Sequence, residues 1–399
     1  MKKVLFVINT MGRAGAEKSM IELMKVFDLS HYELNLLVLI NRGEMYDEVP
    51  SYVKIHNKNI DNRSLFSAKG LLINSVFRAM FKNFAIFRRF PYLVRNLFNQ
   101  LKNGRIQFDK LSWKLISDAA PRNDEKFDIA IAYLEGAAAY YVADHVIAEK
   151  KVAFIHIDYQ KAGYTPYLDQ GCYKSMDRIL IVSDDAKKSF LNVYPQYENK
   201  IMLFHNIINK EAILKAAEDG AGFHDDFQGV RILTIARLHY QKALDLAIAA
   251  LSELKRQKYV IRWYVIGEGA LKQELESLAA ALQVSEDFIF LGAKANPYPY
   301  LKQCDLYVNA SRFEGKNIAV QEAQVMGKAI IVSDCSGNRE LIKDNVDGLI
   351  VNLDKESIAA GIIKLLENKE LKSRLERENR KKDFDYSQSL ETIYDMMHD

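Results

Sequence analysis

The stretch Ser311-Arg312-Phe313-Glu314-Gly315-Lys316-Asn317-Ile318-Ala319-Val320-Gln321-Glu322-Ala323 reads as a loop that turns into a helix. A short apolar run, residues 306–309, ends just before it and predicts a buried strand. Gly315 follows Glu314, and the helix is predicted to begin near Asn317. Glu314 then lies on the loop, with Glu322 a turn or two inside the helix. A helix N-terminus offers unpaired N–H groups and the positive end of a dipole, which suit a diphosphate or a polar sugar. A carboxylate accepts hydrogen bonds from the vicinal hydroxyls of a sugar or ribose. The alternative is a pair of surface glutamates flanking a helix start.

The same strand-to-helix pattern extends on both sides. Residues 4–8, 34–40, 129–133, 152–157 and 179–182 read as strands, with a helix over 17–27. After Asn206 the pattern restarts, with strands over 231–236, 261–266, 288–291, 306–309 and 329–332. Helices are predicted over 244–255 and from about 271. Runs rich in Val and Ile, separated by helices, imply α/β domains whose parallel sheets are covered on both faces. The boundary falls near 206–228, where Glu218-Asp219-Gly220-Ala221-Gly222 has the character of a connection. The expected organisation is 1–206 and 207–382, two Rossmann-like domains facing across a cleft, with a closing helix over 383–399 that returns to the first domain. Ligands of such sheets sit beyond the carboxyl ends of the strands.

Several predicted strands lead into polar loops. Residues 231–236 run into Arg237-Leu238-His239-Tyr240-Gln241-Lys242, two cations that suit a developing diphosphate charge. Residues 261–266 run into Gly267-Glu268-Gly269. The first strand runs into Gly12-Arg13-Ala14-Gly15-Ala16-Glu17, where Gly15 lets a ligand approach the backbone closely. This turn is not GxGxxG, which weakens a dinucleotide-binding reading. His156 and Glu135 each lie at the end of a strand. Taken alone, each of these features is equally a solvated loop or a tight turn.

Together they resemble the retaining GT-B glycosyltransferases of family 4. The resemblance rests on Glu314 and Glu322, followed by Ala323 and Gly327, on the Arg237/Lys242 spacing, and on the Gly15 turn. It implies a GT-B fold and a nucleotide-sugar donor, UDP-linked, with no cofactor. It implies that Glu314 meets the donor sugar and Glu322 the ribose. Gly315, Lys316, Asn317 and Ile318 are implied to face the diphosphate, with Arg237 and Lys242 neutralising it. Gly15 and Gly267 are implied to line the nucleotide, His156 to bind the donor sugar, and Glu135 to face the acceptor. Two positions depart from the pattern. Lys316 stands where many members carry an apolar residue, and Ala243 where they usually have Gly.

The composition restricts the remaining options. The 399 residues carry three widely spaced cysteines, Cys172, Cys304 and Cys335, in no metal-ligand or disulfide pattern. No Asp-x-Asp motif suggests a metal, so metal-independent catalysis is expected. No run of about 18 apolar residues predicts a membrane span, and residues 4–8 are too short for a signal peptide. The net charge of +3 is unevenly spread. Residues 75–114 hold nine basic side chains, among them Arg88 and Arg89, against one acidic, interleaved with Phe77, Phe81, Phe84, Phe87, Phe90, Phe98 and Trp113. This segment reads as amphipathic helices for an anionic membrane surface, or as a helical insertion packed on the core. No nucleic-acid-binding motif accompanies it. The expectation is a cytoplasmic enzyme peripheral on the inner face of the membrane. It would transfer a hexose or N-acetylhexosamine to a polyprenyl-diphosphate-linked glycan in surface polysaccharide synthesis, with Arg88 and Arg89 near the acceptor. A catalytically silent GT-B binder and a nucleotide-sugar epimerase are the alternatives.

Overall fold

A computed structural model of the chain describes residues 1–64, 85–102 and 108–398. It divides into two compact units, one of Met1–Ile207 with Tyr386–Asp399, the other of Ile208–Asp385.

Unit 1 is built on seven strands: β1 (Lys2–Ile8), β2 (Tyr32–Val38), β3 (Lys54–Ile55), β4 (Lys126–Ala132), β5 (Ile147–Ile155), β6 (Arg178–Ile181) and β7 (Ile201–Leu203). Their order is 3-2-1-4-5-6-7, and neighbouring strands are parallel. Unit 2 holds β8 (Val230–Ile235), β9 (Ile261–Ile266), β10 (Phe288–Gly292), β11 (Leu306–Asn309), β12 (Ile330–Ser333) and β13 (Leu349–Val351). Their order is 10-9-8-11-12-13, again parallel. The order reverses between β1 and β4 in unit 1 and between β8 and β11 in unit 2. At such a reversal the connections leave to opposite faces and open a crevice at the carboxyl ends.

The alternation of a strand explains why unit 2 has two cores. Ile232, Trp263, Val265, Leu306, Val308 and Ile331 pack on one face of the sheet. Leu233, Tyr264, Ile266, Tyr307, Ile330 and Val332 pack on the other. Both faces are covered by helices, so apolar residues dominate the strands on both faces.

The closing helix, Ser387–His398, belongs to unit 1. Its Ile393, Met396 and Met397 are buried with Phe27 and Tyr32. Lys2 and Lys150 donate from Nζ to the Met397 and Met396 carbonyls at 3.2 and 2.8 Å. Cations there satisfy carbonyls that a helix C-terminus leaves open.

Of the basic aromatic segment, the described parts are the helices Ala85–Lys102 and Phe108–Ala119. Phe77, Phe81 and Phe84 lie outside the described residues. Four of the basic residues whose side chains are described, Arg89, Arg95, Lys110 and Lys114, are engaged within the protein, whereas Lys102 is exposed and the Arg88 side chain lies outside the described residues. Arg89 Nε meets Asp118 at 2.6 Å. Lys114, itself buried, pairs with Asp144 and lies 3.8 Å from Asp118. Arg95 lies over the Tyr167 ring and Lys110 over that of Tyr164, 4.0 and 4.4 Å from the centroids. Among the described residues, no helix is long and apolar enough to cross a membrane.

Candidate functional site

In unit 2 the two strands flanking the reversal, β8 and β11, deliver the residues singled out in the sequence. After β8 the chain passes Arg237, exposed to solvent, and makes a short turn over Tyr240–Lys242. It enters helix Leu244–Arg256 through Ala243, which adopts φ +46° and ψ +38°. That left-handed conformation is the physical reason glycine is common at this position. After β11 the chain passes Glu314 and begins helix Ile318–Val325 at Asn317.

These two loops meet at Glu314. Lys242 Nζ lies 2.5 Å from Glu314 Oε1, with only 14% and 7% of the two side chains exposed. Gln241 Nε2 donates to Glu314 Oε2 at 3.2 Å and to the Phe313 carbonyl at 2.8 Å. Asn317 Nδ2 donates to Glu314 Oε1 at 3.2 Å. The Asn317 Oδ1 accepts from the amides of Ala319 and Val320, two of the donors a helix start leaves open. The loops are locked from outside by Arg312. Its guanidinium donates to both carboxylate oxygens of Asp245 at 3.0 and 2.6 Å and covers the Tyr240 ring at 4.1 Å. One buried carboxylate is therefore oriented by a cation and two amides, an arrangement that fixes its position for a polar ligand.

Glu322 is buried in the same helix, where Tyr298 donates its phenol proton to Oε1 at 3.1 Å. Two glycines bring other backbone close. Gly267 has φ +147°, and a Cβ there would sit 2.0 Å from the Ala236 carbonyl oxygen, so the Gly267 turn serves to pack against the loop after β8. Gly337, with φ +79°, approaches so closely that a Cβ would sit 2.3 Å from the Gly315 carbonyl oxygen. Lys316 is half-buried. Nearby, the side chains of Asn309 and Ser311, and Oδ1 of Asn338, are buried without hydrogen-bond partners among the described residues.

In unit 1 the ends of β4 and β5 bring Glu135 and His156 together. The His156 amide donates to Glu135 Oε2 at 3.1 Å, which anchors this buried carboxylate. The imidazole stacks on Phe154 with centroids 5.5 Å apart. Burial, opposed by a hydrogen bond with the Tyr133 backbone, pushes its pKa down to about 3. Its Nε2 is buried without a partner among the described residues. A neutral imidazole with an unused nitrogen is suited to a hydrogen bond with a ligand hydroxyl. Gly15 is exposed and opens helix Gly15–Lys25, whose N-cap, Ala14, gives no side-chain hydrogen bond to its amides. Arg89 is tied to Asp118 and donates to Gln170 Oε1 at 3.2 Å.

Asp118, Asp144 and His145 form a cluster with potential metal-ligand geometry. Burial would raise the Asp118 pKa, but hydrogen bonds from His145 and Arg89 and the charge of Lys114 hold it well below the usual carboxylate range. The two cations already neutralise the two carboxylates, so the cluster reads as an ion-pair network that docks the insertion. The three cysteines are buried and free, and burial pushes the Cys304 and Cys335 thiols up to about 12.

Residues 228–382 match the family described as Glycosyl transferases group 1. That match falls within unit 2. The loops around Lys242, Glu314 and Glu322 all lie inside it. A Campylobacter jejuni relative is 32% identical over 202 residues, which is 50% of this chain and 53% of the relative. It is N-acetylgalactosamine-N,N'-diacetylbacillosaminyl-diphospho-undecaprenol 4-alpha-N-acetylgalactosaminyltransferase. The matches span about half the length, or less, of the curated relatives. Staphylococcus aureus TarM, solved with UDP, superposes over all of both chains with a TM-score of 0.68 at 14% identity. Anabaena HepE, solved with UDP and glucose, does so with a TM-score of 0.67 at 15% identity. The fold of the chain is GT-B, with the matched residues 228–382 in its second Rossmann-like unit.

Sequence reasoning missed the roles of Gln241, Tyr298 and Gly337. Gly337 had a local signal, a Gly-Asn pair after a strand. Gln241 and Tyr298 had none, because their partners are 73 and 24 residues away.

Proposed function

We propose that the chain is a retaining glycosyltransferase. It moves a hexose or N-acetylhexosamine from a UDP-sugar to a growing polyprenyl-diphosphate-linked glycan in surface polysaccharide synthesis. The observation that carries this reading is the buried Glu314 carboxylate, oriented by Lys242, Gln241 and Asn317 at the strand-order reversal of unit 2. Glu314 accepts hydrogen bonds from the donor sugar's hydroxyls, and Glu322 accepts from the ribose. Arg237 and Lys242 stabilise the leaving diphosphate, aided by the positive end of the Ile318–Val325 helix dipole. His156 donates or accepts a hydrogen bond with the sugar. An acceptor hydroxyl attacks the anomeric carbon, the bond to the diphosphate breaks, and the hydroxyl proton passes to the departing phosphate oxygen. This same-face course and the absence of a metal follow the family 4 resemblance.

The Campylobacter relative's name supports the lipid-linked acceptor. An exposed apolar stripe supports a membrane-surface location. On helix Ala85–Lys102, Phe87, Phe90, Val94, Phe98 and Leu101 are 72%, 61%, 50%, 69% and 54% exposed. They recur at helical spacing along one face, as in a helix lying in a bilayer interface.

Titration of UDP- and GDP-sugars into the full chain tests the donor assignment. A UDP-hexose or UDP-N-acetylhexosamine is expected to bind, and Glu322→Gln to weaken it about tenfold or more through the lost charged hydrogen bond. Indifference to every nucleotide sugar would overturn the reading.

A further inference from the structure

Helix Ala85–Lys102 is oriented contrary to ordinary amphipathic packing. Its apolar stripe faces solvent, while Tyr92, Asn96 and Gln100 on the opposite side are buried. Asn96, Asn99 and Gln100 stand at positions i, i+3 and i+4, so they share one face. That face lines a cavity of about 570 Å³, closed on its other side by Gln160, Asn192 and the backbone around Tyr164 and Thr165. The volume lies in the range of small-molecule sites, roughly 300–1,000 Å³. Gly15, Glu135 and His156 are not among its lining residues.

The lining chemistry is specific. Five carboxamides line the space, a group with two donors and an acceptor apiece, of which the Asn96 donors are directed at the Tyr92 and Tyr167 carbonyls. Among the described residues no carboxylate lines it, and the one lining cation, Lys161, lies 3.5 Å from the Asp158 carboxylate. The amides are held in place. Asn96 Nδ2 donates to the Tyr92 carbonyl at 2.9 Å. Asn192 Nδ2 donates to Gln160 Oε1 at 3.2 Å. The Gln160 amide donates to Ser189 Oγ at 3.0 Å, and Ser189 donates to Asp158 at 2.6 Å. Leu168 and Val193 give the cavity an apolar floor. A phosphate would require open cations, and an acyl chain would require an apolar wall. Fixed neutral amides above an apolar floor match the mixed donor, acceptor and C–H surface of a sugar ring.

We propose that this cavity is a glycan-holding subsite for a neutral oligosaccharide. It grips the acceptor saccharide away from the reacting sugar. The inner face of helix Ala85–Lys102 reads the glycan and its outer face rests on the lipid surface. The inference rests on the reading of the acceptor as a glycan, but its test is independent of turnover.

Saturation-transfer NMR on the full chain, without donor, tests it with two probe sets: neutral malto- and chito-oligosaccharides, and acidic oligogalacturonides. Neutral probes are expected to receive saturation, and acidic ones to receive little. Asn99→Leu and Asn192→Leu, at half-buried and exposed positions, are each expected to weaken neutral binding about three- to tenfold. UDP affinity, measured in parallel, should be unchanged in both. Preference for the acidic probes, saturation that survives both substitutions, or no binding by either set would overturn the subsite. UDP-sugar binding that persists alongside such a failure leaves the donor assignment standing, whereas its loss would sink that assignment separately.

Discussion

The Lys242–Glu314 pair makes a quantitative test of how the donor loops are held. Removing one member of a buried pair strands the other, at a cost of about 3–5 kcal/mol. Here Glu314 would keep the Gln241 and Asn317 amides, both at 3.2 Å, so Lys242→Met should cost about 2–3 kcal/mol. Glu314→Gln leaves a lysine that is 14% exposed and able to reach water, so about 1–2 kcal/mol is expected. The double substitution strands no charge. The cycle should therefore give a coupling of about 1–2 kcal/mol, well above the few tenths typical of independent sites. The chain has two tryptophans, Trp113 in unit 1 and Trp263 in unit 2. In a Trp113→Phe background, fluorescence of the fully buried Trp263 follows urea unfolding of unit 2 alone. Additivity within about 0.5 kcal/mol, or a Lys242→Met cost below that, would refute the claim that this pair positions Glu314.

Three further outcomes are expected. Gly337→Ala combines a left-handed backbone with a Cβ 2.3 Å from the Gly315 carbonyl. It should cost about 2 kcal/mol and weaken UDP binding, measured by urea unfolding and calorimetry. His156, with its folded pKa near 3 against an ordinary 6.5, is neutral in the folded state. Its stabilising contribution is complete above pH 6.5 and is lost as pH falls toward 3, by about 2 kcal/mol between pH 7 and 5. His156→Gln should flatten that part of the unit 1 stability profile read from Trp113 fluorescence, and an unchanged profile would refute the burial argument. Phe90→Asp and Phe98→Asp, at 61% and 69% exposed positions, should leave the melting temperature within about 2 °C while abolishing co-sedimentation with anionic liposomes. Undiminished binding would remove the stripe from the membrane reading.

The sequence was most informative where both faces of a strand are buried. Predominantly apolar runs located β8, β9, β11 and β12 to within a residue or so, because their alternate side chains fill two cores. It was least informative at sheet edges. β3, β7 and β13 have two or three residues each and are only partly buried, too short for a period to appear. The domain expectation of 1–206, 207–382 and 383–399 compares with changes of unit after Ile207 and after Asp385. Within the donor loops, residue types and spacing marked Glu314, Glu322 and Lys242, but not that Lys242 grips Glu314 across 72 residues of chain. The basic segment was the hardest to read. Two of its charges, Arg89 and Lys114, are matched by Asp118 and Asp144, acids that fall outside the counted window. Phe87, Phe90 and Phe98 lie on the outer face because Tyr92, Asn96 and Gln100 occupy the inner one.

The central claim is transfer from a nucleotide sugar to a lipid-linked glycan. It is tested most directly by incubating the full chain with radiolabelled UDP-sugars and vesicles containing polyprenyl-diphosphate oligosaccharides, then counting label in the lipid fraction. The account predicts lipid-linked label that depends on both UDP-sugar and acceptor, is lost in Glu314→Ala, and carries the donor's anomeric configuration by NMR. Label found only as a free sugar or an isomerised nucleotide sugar, or UDP-sugar binding without any turnover, would contradict it.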